Sequence, residues 1–213
     1  MSLAAAQGER PRRPRLTGSA RERQLLDVAE RLFTERGYEG VSIEDIARAA
    51  GVSRPVVYQH HGSKDGIFVA CVRRARQDLE RRLCEAAVQT DDWAQQIEAG
   101  GRVFFELVAA DPERWVLLFT TSASQNGELS DQLGALRFQT IAAIADQLRS
   151  HVADAVEEDL FAFAYAVSGV GEQLGRWWLR YPAVSVDQVV AHYRRLVFGM
   201  AQAMLADQLS SSA

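Results

Sequence analysis

Apolar residues recur at helical spacing along nearly the whole chain, and no stretch keeps the two-residue alternation of a strand. The first clear case is "SARERQLLDVAERLFTERG". Leu25, Val28, Ala29, Leu32 and Phe33 fall at i, i+3, i+4, i+7 and i+8 and form one apolar face. Ser19 is placed to cap this helix and Gly37 to end it. The next helix, in "VSIEDIARAAG", is only about two turns long. Ser42 with Asp45 reads as a short-acid capping box, Val41 as a staple to Ile46, and Gly51 as the stop. Ile43, Ile46, Ala47 and Ala50 face inward.

A third helix is predicted from Arg54 to about His60, capped by Ser53. Pro55 sits in its first turn, where a missing N–H costs little. "HGSKD" breaks it, and Ser63 caps a fourth helix through Ile67, Phe68, Cys71, Ala75 and Leu79 to about Val88. Further helices are expected near 92–109, 112–120, 130–151, 156–180 and 185–207, with Ser185 and Gln188 as another capping box. The expected fold class is all-α. A helix-turn-helix domain occupies 19–66, a connecting helix 67–90 and a larger helical domain 91–207, between disordered tails at 1–18 and 208–213.

A short helix, a tight turn containing Gly, and a second short helix form the helix-turn-helix outline, whose second helix enters the DNA major groove. A plain structural bundle has the same spacing, so the contents of the third helix decide. At 100° per residue, Val57 and His61 share one face, while Ser53, Val56 and His60 share another, flanked by Arg54 and Tyr58. The second face offers Arg, Pro, Val, Tyr, Gln and His, which suit phosphates, base edges and thymine methyl groups. No acidic residue occurs from Arg54 to His61.

Charge sharpens the picture. Residues 1–76 hold fourteen Arg/Lys against nine Asp/Glu, a surplus of +5, and the remainder holds ten against nineteen, or −9. A basic first third on an acidic remainder suggests a polyanion partner for that third alone. The N-terminus "MSLAAAQGERPRRPRL" lacks the long apolar core of a signal peptide, and no apolar run is long enough to span a bilayer, so a cytoplasmic protein with no membrane partner is expected. Cys71 and Cys84 lie 13 residues apart on one predicted helix, too far to bridge, and each is expected in the core or half-buried.

Metal binding by His60 and His61 fails on geometry, because adjacent helical residues diverge by about 100°. No ligand cluster forms around His151 or His192, and no phosphate-binding or nucleophile motif appears, so neither metal, cofactor nor enzyme activity is expected.

The segment "RQLLDVAERLFTERGYEGVSIEDIARAAGVSRPVVYQHHGSKDGIF" resembles the DNA-binding domain of the TetR (tetracycline-repressor-like) family of bacterial transcriptional regulators. The likeness rests on the LF…GY ending of the first helix, S-I-x-x-I-A in the second, the A-G-V-S turn, V-Y-x-H in the third, and G-S-K-D at the fourth. It implies a homodimeric repressor that binds double-stranded operator DNA. By position it implies contacts from Ser42, Ser53, Arg54, Pro55, Tyr58, His60 and Lys64. Lys64 would add its ammonium to a helix N-terminus at a phosphate. Arg10, Arg12, Arg13 and Arg15 are either a further phosphate contact or a solvated leader. The chain departs from the family at His61, where an aromatic, most often Phe, is usual. His61 is expected to pack inward with Val57 as a neutral imidazole making one hydrogen bond.

The last two helices are long and apolar. The resemblance implies that they pair with their copies in a dimer, through Val167, Gly171, Leu174, Trp178, Val189, Tyr193, Val197 and Met200. Gly171 and Gly175 would permit close helix approach. It further implies a pocket for a small apolar or amphipathic effector, lined from among Phe104, Phe105, Trp115, Phe119, Phe138 and Trp177. The alternative is a small-molecule-binding or scaffold protein of the same fold without specific DNA binding.

Overall fold

A computed structural model describes residues 17–120, 127–149, 151 and 155–211. The expected tails lie almost wholly outside the described residues at the N-terminus, where only 17 and 18 are seen. The described elements are all helical: α1 (Gly18–Arg36), α2 (Ile43–Ala50), α3 (Arg54–His61), α4 (Lys64–Ala87), α5 (Trp93–Ala110), α6 (Pro112–Thr120), α7 (Glu128–Arg149), α8 (Glu157–Trp178) and α9 (Val186–Ser211). The last runs past the expected boundary at 207, so that much of the C-terminal tail is helix.

Local chemistry sets most of these limits. Thr17, rather than Ser19, caps α1 by accepting from the Ala20 N–H at 3.3 Å. Ser42 and Asp45 form the expected reciprocal capping box. Gly51 takes the left-handed conformation, φ 66° and ψ 35°, that closes α2 and that a Cβ would disfavour. Ser53 holds the N-cap position of α3, but its side chain makes no cap hydrogen bond. Ser63 caps α4 by accepting from the Gly66 N–H at 2.9 Å. A Cβ on Gly66 would lie 2.0 Å from the His61 carbonyl oxygen, so the α3–α4 corner depends on that glycine. Ser185 and Gln188 exchange the two hydrogen bonds of a capping box before α9.

The N-terminal helices, α1 to α3 with the start of α4, close around Leu25, Phe33, Ile46, Val57, Ile67 and Phe68, all 0% exposed. Phe33 and Phe68 meet edge to face with centroids 5.1 Å apart, and Tyr38 packs on Phe68 at 4.9 Å. Val57 alone pins α3 to this core, a contribution of about 1.5–3 kcal/mol for a fully buried valine. Cys71 is buried and its thiol is pushed up to about 12 by desolvation, whereas Cys84 is exposed rather than half-buried.

The same core continues through α4 into α5, α6 and the ends of α8 and α9. A second cluster, around Ile141, Leu148, Leu160, Phe163 and Val197, fills the far end of the C-terminal domain. Polar bolts join the domains. Glu30 of α1 is buried and accepts from Arg74 of α4 at 2.6 Å and from Arg114 of α6. Among the described residues no helix is long and apolar enough to cross a membrane.

Candidate nucleic-acid interface and effector cavity

The capped start of α2, the exposed side of α3 and the first turn of α4 converge on one polar concavity. Its lining includes Ser42, Arg54, Tyr58 and Lys64. Four positions spread over 23 residues of sequence are therefore neighbours. The N-termini of α2 and α4 supply unpaired backbone N–H groups and the positive end of the helix dipole, both suited to phosphate.

The side chains are not idle without a ligand. Arg54 Nη1 lies 3.6 Å from Glu44 Oε2, and Lys64 Nζ 3.9 Å from Glu39 Oε2. The first pair is exposed on both sides and in the second the Glu39 carboxylate is exposed while Lys64 is half-buried, so both are weak and exchangeable. Lys64 Nζ also sits 4.1 Å over the Tyr38 ring, while the Tyr38 hydroxyl donates to Asp65. Tyr38 thus aims Lys64, and its own pKa is raised by burial and by the Asp65 hydrogen bond. The Ser42 hydroxyl lies 2.5 Å from Asp45 Oδ2, and those hydrogen bonds hold the Asp45 carboxyl below its ordinary pKa. Glu39, Glu44 and Tyr38 did not emerge from sequence reasoning. The only sequence signal for them is the G-Y-E-G turn and the acid after Ile43.

Of the other predicted contacts, Ser53, Pro55 and Tyr58 are exposed and His60 is half-buried beside His61, with ring centroids 6.2 Å apart. His61 is half-buried, but the expected hydrogen bond is missing at Nε2, which is buried without a partner. Desolvation lowers the His61 pKa, against Glu22, which raises it, and with His60, which lowers it.

In the C-terminal domain a cavity of about 130 Å³ lies among α4, α5, α7, α8 and α9. Aliphatic walls such as Leu83, Ile97 and Ile144 carry a few polar groups, among them Gln96, Thr140, Ser168 and the Tyr193 hydroxyl. Burial raises the Tyr193 pKa. Its lining contains no Asp, Glu, Lys, Arg or His.

The aromatic residues expected to line it divide. Phe104 does. Phe105, Trp115 and Phe119 are buried in the main core and lie outside the lining. Phe138 is 48% exposed and stacks on Phe161, and Trp177 packs on Tyr181 and His192. Conversely, Val167, Gly171, Tyr193 and Val197, expected at a dimer interface, line the cavity.

Val167, Gly171, Trp178, Val189 and Val197 are buried within one chain and leave little surface for a copy, while Leu174 and Met200 are partly buried in its cores. Gly171 and Gly175 make room for Phe104 and Trp115 of the same chain, with a Gly175 Cβ only 3.0 Å from the Trp115 ring. The outward side of α8 and α9 instead carries Tyr165, 50% exposed, Leu196, 48% exposed, and Gly169 and Gly199, at which an added Cβ would meet nothing within 4 Å.

Known proteins share both the motif and the fold. The family model described as bacterial regulatory proteins, tetR family, matches residues 25–71, which hold α2, α3 and most of α1. The chain is 35% identical over 105 residues to the HTH-type transcriptional activator FasR of Mycolicibacterium smegmatis, covering 49% of this chain and 48% of that one. It is 33% identical over 115 residues to the HTH-type transcriptional repressor AcnR of Corynebacterium glutamicum, covering 54% and 50%. The matched segment thus spans about half the length of these relatives.

A TetR-like transcriptional regulator from Rhodococcus sp. RHA1 superposes with a TM-score of 0.65 at 26% identity, over 88% of this chain and 99% of that one. The regulator FadR of Bacillus subtilis, solved with stearoyl-CoA, shares the fold with a TM-score of 0.70 at 16% identity, over 84% and 96%. The helix-turn-helix segment thus matches the tetR family of bacterial regulatory proteins in sequence, and the whole architecture is similar in space to that of a TetR-like transcriptional regulator.

Proposed function

We propose that this protein is a homodimeric transcriptional repressor that binds a palindromic DNA operator and is released by a small apolar or amphipathic effector. The observation that carries the reading is the convergence of Ser42, Arg54, Tyr58 and Lys64 on one concavity between two helix N-termini. On binding, phosphate replaces Glu39 and Glu44 as the partner of Lys64 and Arg54. The side of α3 that carries the exposed Tyr58 and Gln59 and the half-buried Val56 reaches base edges.

Two such helices on a two-fold axis read two half-sites one helical turn apart. The outward face of α8 and α9, with Tyr165, Gly169, Leu196 and Gly199, supplies the dimer contact. An aliphatic cavity without charged lining suits a chain-like or amphipathic effector, in keeping with the acyl ligand of the FadR neighbour. Effector binding favours a spacing of the recognition helices that no longer fits the operator.

The test is selection of genomic fragments by the full chain at physiological salt. Enrichment of a palindromic sequence is expected. If none is enriched, the protein is a binding or scaffold member of the fold rather than a regulator.

A further inference from the structure

The cavity among α4, α5, α7, α8 and α9 measures about 130 Å³ and is walled mostly by aliphatic and aromatic side chains. An apolar cavity of about 150 Å³ holds a benzene-sized molecule, so this one takes a body of about six to ten heavy atoms. No Asp, Glu, Lys, Arg or His lines it, and a charge placed there would lose its water without gaining a counter-ion.

The polar groups on the wall are not equivalent. Gln96 is spent: its amide donates to the Thr90 carbonyl at 2.7 Å and the Ala87 carbonyl at 3.2 Å, and its Oε1 lies 2.7 Å from His151 Nε2. The Thr140 hydroxyl is spent as well, donating to Glu80 Oε1 at 2.8 Å and accepting from Arg76 Nη1 at 3.4 Å. The hydroxyls of Tyr193 and Ser168 and the Nε1 of Trp93 make no hydrogen bond among the described residues. All three can donate, and the indole can only donate.

Tyr193 is seated by the backbone around it. Its ring passes from α9 between two glycines: a Cβ on Gly101 of α5 would lie 2.5 Å from Tyr193 Cδ1, and one on Gly171 of α8 would lie 3.8 Å from Cε2. Phe105 meets the ring edge to face with centroids 5.8 Å apart. Burial raises the phenol pKa, so the hydroxyl keeps its proton. A seated ring with a proton to give and no acceptor is a preformed donor on an otherwise apolar wall.

We propose that the cavity selects a small neutral carbonyl compound, an apolar ring or short chain bearing one ketone or ester oxygen that accepts from the Tyr193 hydroxyl. This rests on the effector reading above and narrows it. A carboxylate of the same size is rejected by desolvation, and a hydrocarbon of the same shape forgoes the hydrogen bond.

Isothermal titration of the full chain compares acetophenone, its hydrocarbon isostere α-methylstyrene, and benzoate. Acetophenone should saturate at one per chain. The isostere should bind about two- to tenfold more weakly, the worth of one neutral hydrogen bond, and benzoate at least about tenfold more weakly. Tyr193→Phe should bring acetophenone down to the level of the isostere and leave the isostere unchanged, a split that a merely structural role would not produce. Ile144→Trp should abolish both by filling the cavity, and the comparison in the parent chain decides if either variant unfolds. Four results each overturn the proposal: no saturable acetophenone, equal affinity for ketone and hydrocarbon, benzoate as tight as the ketone, or a ketone preference that survives Tyr193→Phe. Adding acetophenone to the chain on its selected operator separates the two readings. Binding with the expected preferences but without DNA release would sink the effector reading alone, whereas release by ketone and hydrocarbon at equal concentrations would keep that reading and sink the carbonyl assignment.

Discussion

Thr140 of α7 donates its hydroxyl proton to Glu80 Oε1 of α4 at 2.8 Å, while its oxygen accepts from Arg76 Nη1, also of α4, at 3.4 Å. Thr140 also lines the proposed effector cavity. A polar atom on the cavity wall is therefore tied to the helix whose first residue, Lys64, stands at the polar concavity proposed to face DNA. Around this joint the Arg76 guanidinium is buried, with Nε unpartnered, and Glu172 is buried against Arg137 at 2.9 Å. Burial lowers the Arg76 pKa and raises that of Glu172, so the cluster holds charge at a cost.

Thr140→Val keeps the side-chain shape and removes the hydroxyl. It leaves Arg76 Nη1 and Glu80 without that partner and should lower the unfolding free energy by about 1–3 kcal/mol. Urea denaturation measures this directly. An unchanged midpoint and slope would show that the hydroxyl contributes nothing.

Lys64→Ala should weaken operator binding at every sequence and reduce the slope of log K against log salt by about 0.9, the share of one phosphate contact. Glu39→Gln should act oppositely on affinity, because it frees Lys64 from the carboxylate 3.9 Å away. Fluorescence anisotropy over a salt series checks both. A Lys64→Ala slope equal to that of the parent would remove this residue from the phosphate contacts.

His61 makes stability depend on pH. In the unfolded chain the imidazole titrates near its ordinary 6.5, whereas in the fold desolvation holds it lower. The unfolded state takes up the proton first as pH falls. The contribution of His61 is complete above about pH 6.5 and is lost from there down toward the folded pKa. His61→Phe also removes the unpartnered Nε2, so it should raise stability at neutral pH by about 1 kcal/mol and flatten the decline toward pH 5. Thermal melts of both proteins across this range decide it, and an equal decline would acquit His61.

Leu196→Glu places a charge on the outward face of α9 without disturbing the core, since Leu196 is 48% exposed in the single chain. It should convert the proposed dimer to monomer while helical content stays unchanged. Sedimentation velocity with circular dichroism reads both. A dimer that survives the substitution would move the interface elsewhere.

The sequence by itself determined the helices and the recognition motif. Capping boxes, the Gly51 stop and the 3.6-residue spacing act over a few neighbours, so "VSIEDIARAAGVSRPVVYQHHGSKDG" carried its own turn chemistry and its own inward and outward faces. The convergence of Ser42, Arg54, Tyr58 and Lys64 followed once Val57 was buried.

Only the tertiary structure decided the C-terminal domain. Helices α8 and α9 are apolar around most of their circumference, so their pattern names no single buried face. Packing of α5 and α7 against them turned Val167, Gly171 and Val197 inward to line the cavity and left Tyr165 and Leu196 outside. The same holds for His61. Whether a buried nitrogen finds a partner depends on residues far apart in the chain and near only in the fold.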